Sequence, residues 1–246
     1  MLNSIRGAVG FLTRLPVGHD EAAWNAFRSR PAAFPLVGYL VGGLAALPLL
    51  APVPRATGAF GFVAWLYVLT GINHLDGVAD LGDAAVVHGD RERRREVLAD
   101  TTVGVGALAA VGVVFVGLGT AGYTLSTLPV AALSLVVASE VGAKAAVALA
   151  ACAGTATHDG LGAQFTARLG PRNALPPLVV ALPAAILSWP EPSGFVALAA
   201  AIACGTVIVL WARRTLGGVD GDVMGATAEL ARIIGLHAGV IVWTLS

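Results

Sequence analysis

The sequence predicts an all-α fold, a polytopic membrane bundle of about six or seven transmembrane helices. Three observations carry this. The chain is 57% hydrophobic and only 12% charged, roughly half the charged share of a soluble domain, and its mean hydropathy is +0.80. Its apolar residues gather into runs long enough to cross a bilayer. The breaks between runs are alternately tight and long, as in a chain that weaves back and forth. No polar stretch is long enough to fold alone, so residues 1–246 read as one membrane-embedded domain.

Residues 1–31 form an N-terminal arm. From Ser4 to Leu15 apolar and basic residues alternate, which suits an amphipathic helix lying in the interface or a plain anchor before the first span. No h-region followed by a cleavage site marks a removed signal peptide. Spans are expected at about 32–53, 56–73, 103–123, 128–151, 174–189, 193–212 and 231–246. The fifth and the last are short, so six is the alternative count. Pro52-Val53-Pro54-Arg55, Thr124 to Pro129 and Pro190-Glu191-Pro192-Ser193-Gly194 make tight turns on one side, built from residues that end helices. The loops at about 74–102, 152–173 and 213–230 lie on the other side with the arm. Apart from Arg55, the arginines fall on that side. The positive-inside rule then makes it cytoplasmic, with the C-terminus outside for an odd span count. Glycines such as Gly38, Gly42 and Gly43 read as close helix packing. Cys152 and Cys204 read as small buried hydrophobes, not a disulfide framework. A net charge of zero says nothing about partners, and no nucleic acid is expected.

Acids contribute little to orientation, so their crowding on the same face needs another cause. The densest set is Asn73-His74-Leu75-Asp76-Gly77-Val78-Ala79-Asp80-Leu81-Gly82-Asp83. On a helix, Asp76, Asp80 and Asp83 fall within about 40° of one another. Three like charges repel, and acids near a bilayer cost several kcal/mol each unless compensated. A divalent cation is the simplest compensation, and oxygen ligands favour Mg²⁺, Mn²⁺ or Ca²⁺. The plainer alternative is a solvated loop whose acids happen to line up.

The same loop continues with Asp90-Arg91-Glu92-Arg93-Arg94-Arg95-Glu96 and Asp100-Thr101-Thr102. The second loop holds His158-Asp159-Gly160-Leu161-Gly162, then Arg168 and Arg172. The third runs from Arg213-Arg214 through Gly217-Gly218 to Asp220-Gly221-Asp222 and Glu229. Acids that hold a metal, arginines that neutralise phosphate oxygens and glycines that admit a ligand to the backbone suit phosphoryl transfer, which is mostly positioning plus electrostatics. The run Arg91 to Glu96 reads more simply as a solvated helix face at the anionic leaflet. Gly217-Gly218 is a plain turn or a functional loop. His74 is a proton acceptor, a substrate contact or a structural histidine; His19, His88 and His237 stand alone. Glu140 and Lys144, four apart in an apolar span, neutralise each other or mark function.

These residues, in order, resemble the cobalamin synthase (adenosylcobinamide-GDP ribazoletransferase) family. The resemblance begins at Phe11-Leu12-Thr13-Arg14-Leu15-Pro16-Val17 and Phe34-Pro35-Leu36-Val37-Gly38. It peaks at His74-Leu75-Asp76-Gly77-Val78-Ala79-Asp80 with Asp83. It continues through His88-Gly89, Gly160-Leu161-Gly162, Arg214-Thr215-Leu216-Gly217-Gly218 and Gly221-Asp222 to Gly225-Ala226. The resemblance implies a multi-pass enzyme of the cell membrane with its site facing the cytoplasm. The 5′-hydroxyl of α-ribazole, or of its 5′-phosphate, would attack the cobinamide-linked phosphorus of adenosylcobinamide-GDP, with Mg²⁺ required and GMP leaving. Asp76, Asp80 and Asp83, joined by Asp222, would hold the metal. Arg168 and Arg214 would balance charge on the leaving group, and Arg14, Gly217 and Gly218 would contact substrate. A spare carboxylate or His74 would act on the hydroxyl. The implied partners are these two substrates and the lipid bilayer, with homo-oligomer formation open. Asp100-Thr101-Thr102, Glu140 and Asp220 depart from the commoner bacterial pattern and point toward an archaeal branch. Two other readings fit parts of the chain. A CDP-alcohol phosphotransferase shares helical aspartates but has a longer motif than this one. A cation-coupled transporter would hold acids near the midplane, often within repeats, and no repeat is apparent.

Overall fold

The computed structural model describes residues 1–18, 20–157 and 159–246; His19 and His158 lie outside the described residues. The arm is helical, as expected: α1 (Leu2–Leu12) packs on α2 (Glu21–Arg28), which Asp20 caps by accepting from the Ala23 N–H. Next come α3 (Ala33–Ala45), α4 (Arg55–Thr70), α5 (Asn73–Val86), α6 (Arg91–Leu98), α7 (Val105–Leu125) and α8 (Ser134–Ala153). The short α9 (Leu161–Thr166) and α10 (Leu175–Ala181) precede the long α11 (Ser193–Thr215) and α12 (Gly221–Leu245).

Five helical stretches among the described residues are long and apolar enough to cross a membrane: Ala33–Leu50, Val105–Leu125, Val130–Ala153, Ser193–Thr215 and Gly221–Leu245. α4, which reaches span length only together with the start of α5, supplies a sixth pass, and α5 turns off by 101° at the break. Chain direction is read from glycines that bring helix backbones together. Gly38 abuts Val141 and Gly42 abuts Val137, so α3 and α8 run antiparallel. Gly142 meets Leu198 and Ala201, and Gly205 meets Ala146, so α8 and α11 run parallel. Gly235 meets Ala197 and Gly239 meets Ser193, so α11 and α12 are antiparallel.

Two parallel neighbours require the intervening chain to cross back. The expected fifth span does so, but not as one regular helix. It consists of α10 and a 3-10 turn, Leu182–Ile186: Pro176 and Pro177 sit in the first turn of α10, where proline is tolerated, and Pro183 breaks the α ladder after it. Tyr39 on α3 fastens it by donating to the Val180 carbonyl at 3.0 Å.

Two expectations need correction. Much of 74–102 is the helices α5 and α6, not loop. The last helix begins at Gly221 instead of near 231, so Asp222 and Glu229 are helical and Arg232, assigned to the loop side, is buried inside the bundle at 1% exposure. The charges that ended the apolar run are paired internally, and a hydropathy reading counts them as a break.

Counting the chain between α8 and α11 as a return pass beside the six of the long helices puts the two termini on opposite faces. Single cysteines introduced at Leu2 and at Ser246, with Cys152 and Cys204 replaced, should react with an impermeant reagent from opposite sides of sealed vesicles. Labelling of both from one side would show an even number of crossings.

Candidate active site

The site begins where α4 stops. Gly71 adopts φ 73° and its N–H donates to the Tyr67 carbonyl at 2.8 Å; this left-handed conformation suits a residue without Cβ. The Arg14 guanidinium lies over this glycine, close enough that a Cβ would meet its Nε at 2.5 Å. The Arg14 N–H donates to the Leu69 carbonyl at 2.7 Å. Beyond the bend, α5 lies outside the spans and across one end of the bundle.

Glycines let α5 settle on its neighbours. A side chain at Gly77 would run into the Asp222 backbone, and one at Gly225 would lie 3.1 Å from His74 Cα. Gly82 and Gly106 similarly bring α5 against α7. The first turn of α12 therefore meets the acidic face of α5. Asp220 caps α12 by accepting from the Val223 N–H at 2.9 Å and from Thr157 Oγ1 at 3.2 Å. Asp222 sits one residue into that helix, where the helix dipole favours a carboxylate.

Asp80 lies at the centre of this arrangement. Partial burial pushes its carboxyl up, and the charges of Asp222, Asp76, Asp83 and Asp220 push it further, to about 7. A cluster that holds a proton at neutral pH has unmet demand for a cation. Among the described residues, no three acidic, histidine or cysteine side chains converge closely enough to ligate one ion. Asp83 is otherwise engaged: its two oxygens accept from the Gly104 N–H at 2.7 Å and the Ala107 N–H at 2.9 Å, fastening the start of α7. Asp76, His74 and Asp222 line one cavity of about 290 Å³.

Behind His74 a buried ionic cluster ties the helices together. Arg232 on α12 pairs with Glu140 on α8 through Nε, and with Glu229 one turn earlier at 2.5 Å. Lys144 Nζ lies 3.6 Å from Glu140 Oε2. Tyr67 of α4 donates to Glu229 Oε2 at 3.0 Å, and His74 Nδ1 faces Glu229 Oε1 at 3.9 Å. Glu140 and Lys144 thus belong to a larger set, of which sequence reasoning missed Arg232 and Tyr67. The available signal was the Glu229/Arg232 spacing inside an apolar stretch.

The basic run on α6 also does something not anticipated. Arg94 donates to the Ala84 carbonyl at 2.5 Å, Arg95 to Leu216 at 2.7 Å and Arg91 to Arg214 at 3.2 Å. These arginines satisfy carbonyls at the ends of α5 and α11. Only Arg93 and Glu96 form the exposed pair the sequence suggested. Gly217, at φ 86°, is the turn on which Arg91 and Arg95 rest, and Gly218 packs on the Thr155 carbonyl. Arg214 is exposed in the last turn of α11, and Arg168 is exposed just after α9.

Comparison with known proteins adds an independent line. The family described as cobalamin-5-phosphate synthase matches residues 4–240. A Halorubrum lacusprofundi protein named adenosylcobinamide-GDP ribazoletransferase is 53% identical, covering 99% of each chain. Proteins of the same name from Haloquadratum walsbyi and Thermococcus gammatolerans are 45% identical over 100% of each chain and 33% identical over 97% of this chain and 98% of theirs. No solved structure matches.

Two outcomes follow from the packing and charge. Gly77→Ala should lower stability by about 1–3 kcal/mol, the usual cost of overpacking, and lower the thermal midpoint in detergent. Gly43→Ala, which meets nothing within 4 Å, should be silent. Because the Asp80 pKa is raised on folding, to about 7, the folded protein binds more protons than the unfolded chain between about pH 4 and 7. Stability of the metal-free protein should therefore fall as pH rises through that window, and Asp80→Asn should flatten the dependence in a pH series of melts.

Proposed function

The chain belongs to the cobalamin-5-phosphate synthase family, and from that premise we propose that it catalyses the reaction its relatives are named for. The adenosylcobinamide phosphate group of adenosylcobinamide-GDP passes to the 5′-hydroxyl of α-ribazole or its 5′-phosphate. One P–O bond forms at the hydroxyl oxygen, the diphosphate P–O bond breaks, and GMP departs. The observation that carries this reading is Asp80 held among Asp76, Asp83, Asp220 and Asp222, a cation-seeking cluster at a bundle end that also presents exposed arginines.

One or two of Asp76, Asp80 and Asp222 would hold Mg²⁺ together with substrate phosphates, and Asp83 keeps α7 against α5. A bound Mg²⁺ neutralises diphosphate oxygens and helps align the displacement. Arg168 and Arg214, both exposed, balance charge on the departing GMP. His74 lines the cavity shared with Asp76 and Asp222, but burial and the charges of Lys144 and Arg232 push its pKa down to about 3. A carboxylate of the cluster therefore takes the hydroxyl proton, and His74 is a neutral contact. The arginine-bearing loops support a site facing the cytoplasm from the cell membrane, by the positive-inside rule.

The test is GMP release by purified protein in detergent, given both substrates. Chelation of Mg²⁺ should abolish it. Asp76→Asn and Asp80→Asn should each cost more than the roughly 10–100-fold that outer-shell changes cause, while melting cooperatively. Absence of GMP from well-folded protein would sink the reaction. Full activity after chelation would sink the metal, and full activity in both variants would remove these aspartates from the site.

A further inference from the structure

The cavity beside the acids has a chemistry that the phosphoryl-transfer reading does not use. On its polar side stand Asn73, His74, Asp76 and Asp222; its other walls include Phe11, Phe34 and Phe165. These three rings adjoin: Phe165 lies 5.8 Å from Phe11 and 5.4 Å from Phe34, centroid to centroid. They come from α1, the start of α3 and α9, elements far apart in the chain. Phe34 and Phe165 are almost fully buried, at 1% exposure each, whereas Phe11 is 36% exposed.

The arm is held in place to complete this wall. Trp24 and Arg28 of α2 both donate to Gln164 of α9, at 3.2 and 2.9 Å. Arg6 of α1 pairs with Asp20 at 2.9 Å. An interfacial anchor alone would not need to bind the neighbouring loop helix in this way.

We propose that this cavity is the seat of the nucleoside acceptor, with its flat aromatic base against Phe11, which the buried rings of Phe34 and Phe165 back, and its sugar hydroxyl toward Asp76 and Asp222. The assignment rests on the transfer reaction proposed above. Three considerations select this occupant. A volume near 290 Å³ lies at the small end of ligand sites, so it accommodates a nucleoside and excludes a corrinoid nucleotide. Aromatic walls with a polar end match a molecule that is flat and apolar at one end and hydroxylated at the other. Asp76 also lines a second, more open depression with Ile72, Val103 and Leu108 between α5 and α7. The carboxylate thus stands between two openings, and attacking and leaving oxygens approach phosphorus roughly in line from opposite sides.

The test uses the full chain in detergent and α-ribazole as the probe. Binding is read by calorimetry without the second substrate, and KM for each substrate is read separately. Leu161→Trp fills the cavity from a residue that is 51% exposed, so folding tolerates it. Phe11→Leu removes one ring. Each should raise Kd and KM for α-ribazole about tenfold or more, in line with the ~1–3 kcal/mol of base–aromatic stacking, while KM for adenosylcobinamide-GDP stays within about twofold by the same scale. Unchanged nucleoside affinity in both folded variants would overturn the assignment, as would a selective rise in KM for adenosylcobinamide-GDP. Because binding is read without turnover, the two readings fail separately. Protein that binds α-ribazole with the expected sensitivity but releases no GMP keeps the seat and loses the reaction. Protein that releases GMP with binding insensitive to both variants keeps the reaction and loses the seat.

Discussion

Four charged side chains meet inside the bundle where no water-facing surface is available to them. Glu140 and Lys144 come from α8, Glu229 and Arg232 from α12, and each is at or below 1% exposure. Two acids and two bases cancel formally, which is what makes such burial tolerable. Removing one partner from a buried set of this kind strands an opposite charge and typically costs about 3–5 kcal/mol. The cluster does more than bind α8 to α12. Tyr67 attaches α4 to it, and His74 in the first turn of α5 lies beside it, its Nδ1 3.9 Å from Glu229 Oε1. The helix that supplies Asp222 and the helix that supplies Asp76 and Asp80 are thereby referred to one ionic centre.

Close backbone approach then converts that reference into a site. With glycine at 77 and 225, α5 lies directly against the start of α12. Two other devices hold α5 from its far end: the Asp83 carboxylate grips the first N–H groups of α7, and Arg94 caps the Ala84 carbonyl. The aspartates are consequently held together despite mutual repulsion, and Asp80 responds by holding its proton to about pH 7.

Much of this was readable in advance. The membrane class and the helical spacing of Asp76, Asp80 and Asp83 follow from local composition and periodicity. The Glu140/Lys144 pair was visible too, as an i,i+4 spacing. Its principal partner was not, because Arg232 lies 92 residues away from Glu140. The arginines of α6 looked like a solvated face because nothing local shows that Arg91 and Arg95 reach carbonyls more than a hundred residues on. Phe11, Phe34 and Phe165 were ordinary apolar residues in three separate segments.

The sequence by itself determined what kind of solvent this chain needs and which residues carry charge into it. Hydropathy and residue spacing are properties of neighbours along the chain, and they suffice for that. Tertiary structure alone decided how the charges are used: which are neutralised inside, which cap helix ends, and which remain facing one another beside an aromatic-walled cavity. Those outcomes depend on helices meeting at specific faces. An electrostatic interaction between residues a hundred positions apart has no value until packing has brought them within a few ångströms.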